Sequence, residues 1–319
     1  MILTEKFQQL NTFLQTQIIG QSAMVEQLLL ALLADGHILV EGPPGLAKTR
    51  AIKSLSDCIE GHYHRIQFTP DLLPSDLTGT DIYRPETGTF EFQPGPIFNS
   101  LLLADEINRA PAKVQAAMLE AMAEKQVTAG RKSYVLPKLF LVMATQNPIE
   151  QEGTYLLPEA QLDRFLMQLN VDYPDAEAEL AILRLNRGEA QGVVAEKAPE
   201  ISQQDIFQAR DAVLNIHMVP EVEQYIVRLV MATRHPQDYD KDIQRWLQMG
   251  TSPRATLALD RCSRAKAWLA GRDFVTPDDV MQIAFPVLRH RLLRSYEAQA
   301  EGISADFIIN RLLNLVANT

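Results

Sequence analysis

The sequence is poor in cysteine, which limits the chemistry that it can support. Cys58 and Cys262 are the two cysteines among 319 residues, and each lies among apolar residues in a helical pattern. Such an isolated pair does not have the pattern of a disulfide framework or of a cysteine metal site. We therefore predict two small core side chains in a protein of a reducing compartment.

Long apolar runs and an excess of basic residues are also missing. No run approaches the roughly 20 apolar residues of a membrane-spanning helix, and the first residues lack the pattern of a signal peptide. The net charge of −10 disfavours general binding to nucleic acid or to an anionic membrane. We expect a cytoplasmic protein with no membrane span, and we do not expect nucleic acid to be its partner.

Residues 37–50, HILVEGPPGLAKTR, form the most informative stretch of the sequence. An apolar run predicts a buried strand that ends at Glu41, a glycine-proline turn follows, and Lys48 and Thr49 begin a helix. A phosphate site needs this order, because the first N–H groups of the helix point at the anion. Lys48 would contact the β- and γ-phosphates, and the Thr49 hydroxyl would bind Mg²⁺.

This loop departs at one position from the pattern G-x-x-x-x-G-K-[ST]. Ala47 stands where the last glycine is usual, and a Cβ is tolerable there if the residue has a negative φ. An ordinary turn before a helix is the alternative interpretation of the stretch. The residues that we expect to contact the phosphates are Gly42, Pro43, Pro44, Gly45, Leu46, Ala47, Lys48, Thr49 and Arg50.

Two acidic residues, Asp105 and Glu106, follow the apolar run of residues 101–104. Acids at the end of a buried strand are costly unless they have partners. Mg²⁺ and an attacking water would supply these partners. Asp105 would hold the metal through its water shell, and Glu106 would orient or deprotonate the water that attacks the γ-phosphate. The alternative is a surface turn after a core strand.

Two more side chains could complete such a site. Asn147 follows an apolar run at the same expected sheet edge, where its amide could bind the γ-phosphate and the water; an Asn-Pro turn is the alternative. Arg254 is the second residue of a helix that Ser252 caps, where a cation meets the positive end of the helix dipole. A nearby anion such as a phosphate would offset this cost, and an exposed arginine is the alternative.

Other basic residues allow two interpretations each. Arg164 could act as an arginine finger on a neighbouring subunit, or it could pair with Asp163. Arg109 could face a neighbouring subunit or solvent. A basic cluster is expected on a solvated helix face or at a subunit contact, and it consists of Arg289, His290, Arg291 and Arg294.

Apolar runs that predict strands begin near residues 37, 63, 100, 139 and 166, and they alternate with helical patterns. The alternation predicts an α/β fold with a mostly parallel five-stranded sheet, covered on both faces, and with sites at the carboxyl ends of its strands. We expect this domain to span residues 1–195. Residues 196–319 show helical periods without a strand pattern and predict a second, helical domain.

Local signals predict further details of the first domain. Helices are expected over residues 22–35, with Gly36 just after the end, and from Lys48 to about Glu60. Alternating patterns around turn residues predict hairpins near residues 82–92 and 126–136.

Taken together, five motifs resemble the MoxR family of AAA+ ATPases. They are, in chain order, GPPGLAKT, LLADEINRAP, ATQNP, LPEAQLDRF and SPRA, and the resemblance extends from residue 18 to the last helices. It implies a P-loop NTPase core of three layers followed by an all-helical lid domain. Alanine at position 47 is usual in this family.

The resemblance also implies a role for each candidate residue, with ATP and Mg²⁺ as cofactors. In family terms, Lys48 and Thr49 would belong to the Walker A motif, and Asp105 and Glu106 to the Walker B motif. Asn147 would be sensor 1, Arg164 the arginine finger and Arg254 sensor 2. Ile19 and Gly20 would border the adenine.

The activity that the resemblance implies is ATP hydrolysis at the subunit interfaces of a ring, usually a homo-hexamer. Such a ring would remodel a client protein, in some relatives together with a von Willebrand factor A domain protein, and the hairpins would face the pore or the client. One alternative is a nucleic-acid motor of a related AAA+ branch, which the acidic balance disfavours. Another is a nucleotide-binding scaffold without turnover, which the presence of Glu106 and Asn147 disfavours.

Overall fold

The computed structural model describes residues 3–129, 132–147, 153–192 and 197–316. The chain divides into two compact units. The first, which we call the core unit, comprises Met1–Leu157 and Leu169–Ile206. The second, the helical unit, comprises Pro158–Gln168 and Phe207–Thr319.

The α-helices are, in chain order, α1 (Leu3–Gln17), α2 (Ser22–Leu33), α3 (Lys48–Cys58), α4 (Pro74–Thr78), α5 (Ala112–Glu124), α6 (Glu159–Leu162), α7 (Ala176–Ala190), α8 (Gln203–Leu214), α9 (Pro220–Arg234), α10 (Lys241–Trp246), α11 (Pro253–Leu269), α12 (Pro277–Leu288), α13 (Tyr296–Ala300) and α14 (Ala305–Leu315). Short 3₁₀ helices occur at Pro96–Phe98, Ile107–Arg109, Pro236–Asp238 and Arg289–Arg291. The β-strands are β1 (Ile38–Glu41), β2 (Tyr63–Gln67), β3 (Gly79–Arg84), β4 (Thr89–Pro94), β5 (Leu101–Asp105), β6 (Gln126–Ala129), β7 (Lys132–Val135), β8 (Leu141–Gln146), β9 (Met167–Asn170), β10 (Leu247–Met249) and β11 (Leu293–Arg294).

A five-stranded sheet in the order β2-β5-β8-β1-β9 organises the core unit. The β2–β5, β5–β8 and β8–β1 pairs are parallel, and α2 packs on β1 while α3 packs on β5. Strands β5 and β8 are buried almost throughout, which is why they appear in the sequence as nearly continuous apolar runs. The predicted mostly parallel, five-stranded sheet is therefore confirmed.

The register of the sheet brings polar residues to one edge. Glu41 lies opposite Gln146, and Gln67 lies opposite Asp105, so four strands end in polar side chains at the same side. Since α3 begins a few residues after β1, the phosphate loop starts from this edge. The edge is therefore the place where the predicted site can assemble.

Two helices end earlier than the sequence predicts. Helix α2 ends at Leu33, and Asp35, with a φ of 52°, takes the left-handed position that we expected of Gly36. The Gly36 N–H donates to the carbonyl of Ala31, which completes the helix end. The short polar side chain of aspartate makes this conformation less costly than it is for most residues.

Helix α3 ends at Cys58 because the next residues pair with a distant segment. Ile59 forms a parallel bridge with Ile201, and the Glu60 N–H donates to the Ile201 carbonyl at 2.9 Å. The predicted extension of the helix to Glu60 is therefore wrong. A tertiary contact decides the boundary, and no local signal marks it.

Both predicted hairpins are present, and they contact each other. Strands β3 and β4 pair antiparallel over Gly79–Pro94, which is more than the predicted 82–92. Strands β6 and β7 also pair antiparallel, within the predicted range of 126–136, and their connecting turn lies outside the described residues. Phe92 of the first hairpin stacks on Tyr134 of the second, with ring centroids 3.9 Å apart. The Tyr83 and Phe90 rings of the first hairpin are exposed and lie 5.3 Å apart.

The helical unit contains one feature that its sequence does not signal. Strands β10 and β11 form a small antiparallel sheet. Strands this short cannot show an alternating pattern, so the expectation of a unit built only of helices needs this correction.

The division between the units also differs from a single boundary at residue 195. Residues 197–206 belong to the core unit, where Asp205 accepts a hydrogen bond from Lys6 at 2.9 Å. Residues 158–168, which include Arg164, belong to the helical unit. Both assignments follow from contacts between segments that are far apart in the sequence.

Both cysteines are free and buried, as predicted for core side chains. Burial raises the pKa of the Cys58 thiol and of the Cys262 thiol to about 12 in each case. A thiol with such a pKa is not a nucleophile at neutral pH. No helix in the described part of the chain is long and apolar enough to cross a membrane.

Candidate nucleotide site

The phosphate loop joins β1 to α3 and depends on close backbone contacts. A Cβ built on Gly42 would lie 2.4 Å from the carbonyl oxygen of Val171, so this position admits glycine alone without a backbone shift. Gly45 has a φ of 84°, in the left-handed region that glycine adopts without strain. These two residues bring the loop back over the beginning of α3.

Ala47 has a φ of 56°, so the condition under which a Cβ is tolerated without strain is not met. A left-handed conformation costs a residue with a Cβ about 1–2 kcal/mol. The strain lies directly before Lys48, at the position where the first N–H groups of α3 are directed. The loop geometry is therefore maintained against the local preference of alanine.

Lys48 is the cation of the loop. Its ammonium donates a hydrogen bond to the Gly42 carbonyl at 2.6 Å. Burial lowers the pKa of Lys48, while the carboxylates of Asp105, Glu106 and Glu41 act in the opposite direction. A partly buried ammonium whose partner is a neutral carbonyl is well placed to exchange that partner for a phosphate oxygen.

Asp105 is held by two side chains. Its Oδ1 accepts from the Thr145 hydroxyl at 2.6 Å, and its Oδ2 accepts from Arg65 Nη2 at 2.7 Å and Nε at 3.1 Å. The Asp105 side chain is 15% exposed. The acid at the end of the buried strand thus has the partners that its burial requires, and they are protein groups.

Glu106 has a strained backbone and a carboxylate held from two sides. Its φ is 57°, and its N–H donates to the Thr145 hydroxyl at 2.9 Å. Gln67 Nε2 donates to Glu106 Oε2 at 2.7 Å, and Arg109 Nε lies 3.2 Å from the same oxygen. Arg109 therefore contacts the acid of its own chain, an option that the sequence did not suggest.

Asn147 is 7% exposed and lies just past the end of β8. It borders a cavity of about 430 Å³ that gathers the phosphate loop and the acids. The lining residues are Pro44, Gly45, Leu46, Ala47, Lys48, Thr49, Arg50, Arg65, Asp105, Glu106, Thr145, Gln146 and Asn147. The predicted convergence of strand ends is present, while Gly42 and Pro43 lie just before the lining segment.

A second cavity, of about 160 Å³, also borders the loop, and its walls are partly apolar. Both cavities are bordered by Gly45, Leu46, Ala47 and Arg50. The remaining lining residues of the second cavity are Gln17, Ile19, Gln21, Pro174, Glu179, Ile182, Leu185 and Asn186. A cavity next to a phosphate cradle with apolar side chains such as Ile19, Ile182 and Leu185 suits a nucleotide base.

Two expected nucleotide residues have other contacts in this region. Gly20, with a φ of 76°, packs against α7, since a Cβ there would lie 2.9 Å from that of Ala178. Arg50 borders both cavities, and its guanidinium forms a two-point ion pair with Glu189 of α7. Helix α7 therefore forms part of the cavity wall, which the sequence did not reveal.

Arg65 and Gln67 were also missed by the sequence reasoning. They alternate along β2, and the strand order places β2 beside β5, which ends in Asp105. The alternation was visible in the sequence, but the neighbour of the strand was not. A polar pair on a predicted strand becomes a signal only when the strand order is known.

Arg164 and Arg254 belong to the helical unit, whereas the cavity residues belong to the core unit. Asp163 Oδ2 lies 4.0 Å from Arg254 Nη1, so the anion that the helix dipole argument required is present within the chain. That argument therefore gives no separate support for a phosphate at Arg254. Asp163 itself pairs with Arg291 at 2.8 Å.

The basic cluster of the helical unit is not a solvated face. The Arg291 side chain is 2% exposed, and His290 is 8% exposed. Burial, followed by the nearby Arg291 charge, lowers the pKa of His290 well below its usual value, so the ring is neutral at physiological pH. The expectation of a solvated helix face is therefore wrong for these two residues, which a sequence pattern cannot distinguish from exposed ones.

The donor set of the larger cavity fits a phosphate chain with Mg²⁺. Thr49 and Asp105 offer one hydroxyl and one carboxylate, and Lys48 adds a positive charge. Among the described residues, no three His, Cys, Asp or Glu side chains gather as a metal site. Mg²⁺ suits such a place, because it keeps waters and takes one or two protein ligands together with phosphate oxygens.

Comparison with known protein families shows the class of protein to which this chain belongs. The family described as ATPase family associated with various cellular activities (AAA) matches residues 37–167, and the AAA lid domain matches residues 240–312. A P-loop core with this lid is the architecture of an AAA ATPase.

Proteins that are similar over nearly the whole chain show the family within this class. Chaperone MoxR1 of Mycobacterium tuberculosis is 46% identical over 302 residues, which are 94% of this chain and 79% of that protein. Protein MoxR of Paracoccus denitrificans is 32% identical, over 93% of this chain and 92% of that protein. A crystal structure of a candidate ATPase from Cytophaga hutchinsonii superimposes with a TM-score of 0.92 and 44% identity, covering 99% of this chain and 95% of that one. The chain belongs to the MoxR family of AAA+ ATPases.

Proposed function

We propose that this protein hydrolyses ATP in a Mg²⁺-dependent reaction and uses the energy to remodel partner proteins. The observation that supports this most directly is the single cavity that contains Lys48, Asp105, Glu106 and Asn147. A scaffold that only binds nucleotide would need the loop and Lys48, but it would not need a carboxylate placed beside the phosphate site.

Each residue of the cavity has a proposed task. Lys48 binds the β- and γ-phosphates, and Thr49 and Asp105 hold Mg²⁺, which would neutralise charge on the phosphate oxygens. Glu106 orients the attacking water and takes its proton, and Asn147 donates from its amide to the water or the γ-phosphate. Ile19 borders the adenine from the second cavity, together with the adjoining Gly20, which packs against α7.

The Glu106 carboxylate is bound by one neutral and one charged side chain, and it must lose these contacts before it can bind a water. Gln67 and Arg109 both hold its carboxylate, so the side chain must exchange these contacts for a water. Both partners are exposed enough to move, since the Arg109 side chain is 41% exposed and Gln67 is an exposed residue. We therefore place a rearrangement of Glu106 before the chemical step.

The decisive test of hydrolysis is Glu106→Gln. We expect this variant to bind ATP as the native protein does and to turn it over at least about 100-fold more slowly, the usual cost of losing a general base. Glu120→Gln, which changes an exposed carboxylate on α5, is the matched control and should keep full turnover. Normal turnover in Glu106→Gln would show that another group activates the water.

We further propose that the protein acts as a homo-hexameric ring in which Arg164 completes the site of the neighbouring subunit, while Arg254 serves its own. Turnover per chain should then rise with protein concentration until it saturates. Mixing two variants that are inactive alone, Arg164→Ala and Glu106→Gln, should restore part of the turnover, because some sites regain an intact pair. No restoration at any mixing ratio would place Arg164 in its own site or outside the reaction.

The remodelling role is supported by the similarity to Chaperone MoxR1, and we propose that it takes place in the cytoplasm. We expect a partner protein, such as one with a von Willebrand factor A domain, to stimulate turnover. The native protein with ATP should also change the folding or assembly of its client, whereas Glu106→Gln should not. Stimulation by DNA in place of protein would instead favour a nucleic-acid motor.

A further inference from the structure

Helix α7 forms part of the wall of the second cavity, to which it contributes Glu179, Ile182, Leu185 and Asn186. All residues of α7, Ala176–Ala190, are described, and none of their side chains is buried. A helix without buried apolar side chains gains little stability from packing, so its position depends on a few specific contacts. The wall of the cavity is therefore only as fixed as those contacts.

Contacts near both ends hold α7 to the rest of the core unit. Near its beginning, Ala178 packs so closely on Gly20 that a Cβ at Gly20 would lie 2.9 Å from that of Ala178. Near its end, Glu189 accepts from both terminal nitrogens of Arg50, with a distance of 3.2 Å between Nη1 and Oε2. Since a helix rises about 1.5 Å per residue, the two contacts are roughly 16 Å apart and enclose the segment that lines the cavity.

Arg50 is the residue through which Glu189 reaches the candidate nucleotide site. It lies in the first turn of α3, directly after Lys48 and Thr49, and it borders both cavities. Its Nη2 also donates to Gln17 Oε1, at the end of α1, at 3.4 Å. One guanidinium of the core unit therefore joins α1, α3 and α7, each of which borders the second cavity.

The third nitrogen of the Arg50 guanidinium indicates a ligand. Arg50 Nε is buried, and within the described part of the chain it has no hydrogen-bond acceptor. A buried donor without an acceptor is costly, so the site needs a group that supplies one. A nucleotide with its phosphates in the larger cavity and its base in the second would pass Arg50, because Arg50 borders both. It could supply this acceptor while Glu189 keeps the other two nitrogens.

We propose that Glu189 is a positioning residue for nucleotide binding, which acts through Arg50 and holds α7 beside the base. This inference rests on the proposed function, since it takes the two cavities as the phosphate and base sites of one nucleotide. The Arg50–Glu189 pair keeps the base cavity in its binding shape, so the base does not have to order α7 when it binds. Opening of the pair loosens the base side of the site and leaves the phosphate side in place.

The larger cavity should not depend on the position of α7. Among the described residues that line it, all come from the phosphate loop, the start of α3 and the strand ends, and none from α7. Glu189 is also an anion that competes with phosphates for Arg50, so its removal does not disfavour a ligand made of phosphates alone. Loss of Glu189 should therefore weaken a ligand that has a base and spare a ligand that has none.

Isothermal titration calorimetry with Mg²⁺–ADP and Mg²⁺–pyrophosphate tests this contrast. We expect Glu189→Gln to bind ADP about twofold to fivefold more weakly, the effect of losing an ion pair whose side chains are 34% and 43% exposed. Its affinity for pyrophosphate should equal or exceed the native value, which also shows that the variant is folded. Equal weakening of both ligands, or native affinity for ADP, would overturn the proposal.

Two further variants control for the loss of a surface charge. Glu91→Gln removes the glutamate of another exposed ion pair, with Arg84 at 2.8 Å in the hairpin of β3 and β4, and should keep native affinity for both ligands. Glu189→Asp retains the carboxylate on a shorter side chain and should restore part of the affinity for ADP. The same loss for ADP in Glu91→Gln as in Glu189→Gln would overturn the proposal.

A double variant shows whether Glu189 acts through Arg50. Arg50→Gln should weaken the binding of both ligands, because Arg50 borders both cavities. Addition of Glu189→Gln to Arg50→Gln should then have no further effect on ADP, since the pair is already broken. An additive loss would mean that Glu189 acts by another route, and it would overturn the proposal.

Turnover assays distinguish failure of this inference from failure of the proposed function. Glu189→Gln should raise the ATP concentration for half-maximal turnover and keep the maximal turnover per chain, because Glu189 lies outside the lining of the cavity that contains Glu106. No binding of either ligand by the native protein, or normal turnover in Glu106→Gln, would contradict the proposed function itself. Native binding of both ligands that Glu189→Gln leaves unchanged would contradict only the role of Glu189.

Discussion

The core unit and the helical unit hold their candidate functional residues by contacts of different kinds. In the core unit, the key side chains end neighbouring strands and bind one another across the sheet edge, as Asp105 and Arg65 do. In the helical unit, the segment with Arg164 is bound by a turn that lies 128 residues later in the sequence, through Asp163 and Arg291.

The difference concerns which contacts can be exchanged. Lys48 rests on a carbonyl, and Glu106 rests on Gln67, so both can take a ligand in place of a protein partner. Arg291 is almost fully buried and has several acceptors, so its contacts are permanent. The first arrangement suits a binding site, and the second suits a support that fixes the backbone around Arg164.

The largest effect on stability is expected for Arg291, whose contacts are not exchanged. Arg291→Ala would remove the charged donor of Asp163 Oδ1 and a donor of several carbonyls, and removing one partner of a buried pair costs about 3–5 kcal/mol. Urea unfolding of the helical unit should show a loss of this size. Arg245→Ala, which removes an exposed partner of Glu301, should cost less than about 1 kcal/mol. Equal losses would mean that Arg291 is not a special support.

Lys48 has a contact that a ligand can replace, so Lys48→Ala should weaken nucleotide binding and leave the fold intact. Loss of a charged partner of the phosphates should cost about 2–5 kcal/mol of binding free energy. Titration with a fluorescent ATP analogue gives the affinity, and thermal unfolding without nucleotide gives the stability. Lys53→Ala, on an exposed position of the same helix, should change neither quantity. Unfolding of the Lys48 variant would contradict a pure binding role.

Ala47→Gly tests whether the loop stores strain. Relief of the left-handed alanine gains about 1–2 kcal/mol, and the greater freedom of glycine in the unfolded chain costs about 0.5–1 kcal/mol. We expect a net gain of roughly 0.5–1 kcal/mol in unfolding free energy. Ala51→Gly, inside α3 and fully buried, should have the opposite sign. Destabilisation by both substitutions would mean that Ala47 carries little strain.

The smallest effect is expected at Arg65. Its side chain is 50% exposed, and it binds one carboxylate oxygen of Asp105, the residue proposed to hold Mg²⁺. Arg65→Gln should lower the Mg²⁺ concentration for half-maximal turnover by about twofold to fivefold, because exposed ion pairs contribute about 0.2–1 kcal/mol. Arg84→Gln, which breaks the exposed pair with Glu91, is the control. A higher Mg²⁺ requirement in Arg65→Gln would show that Arg65 assists the site.

The sequence predicted the core unit better than the helical unit. The phosphate loop, the acid pair and Asn147 were predicted to converge because each follows an apolar run that predicts a strand end, and they border one cavity. The sequence could not predict Arg65 as a partner of Asp105, since a strand pattern does not reveal which strand lies beside it. The burial of Arg291 also could not be predicted, because the sequence around it has the pattern of a solvated basic cluster.

By itself, the sequence determined the strand-loop-helix order around Lys48, the polar ends of the strands and the family to which the chain belongs. These features are local, since they depend on residues within a few positions of one another. Only the tertiary structure decided the positive φ of Ala47, the end of α3 at Cys58 and the partners of Asp163. The physical reason is that burial and long-range pairing fix the energy of a side chain, and a one-dimensional pattern records neither.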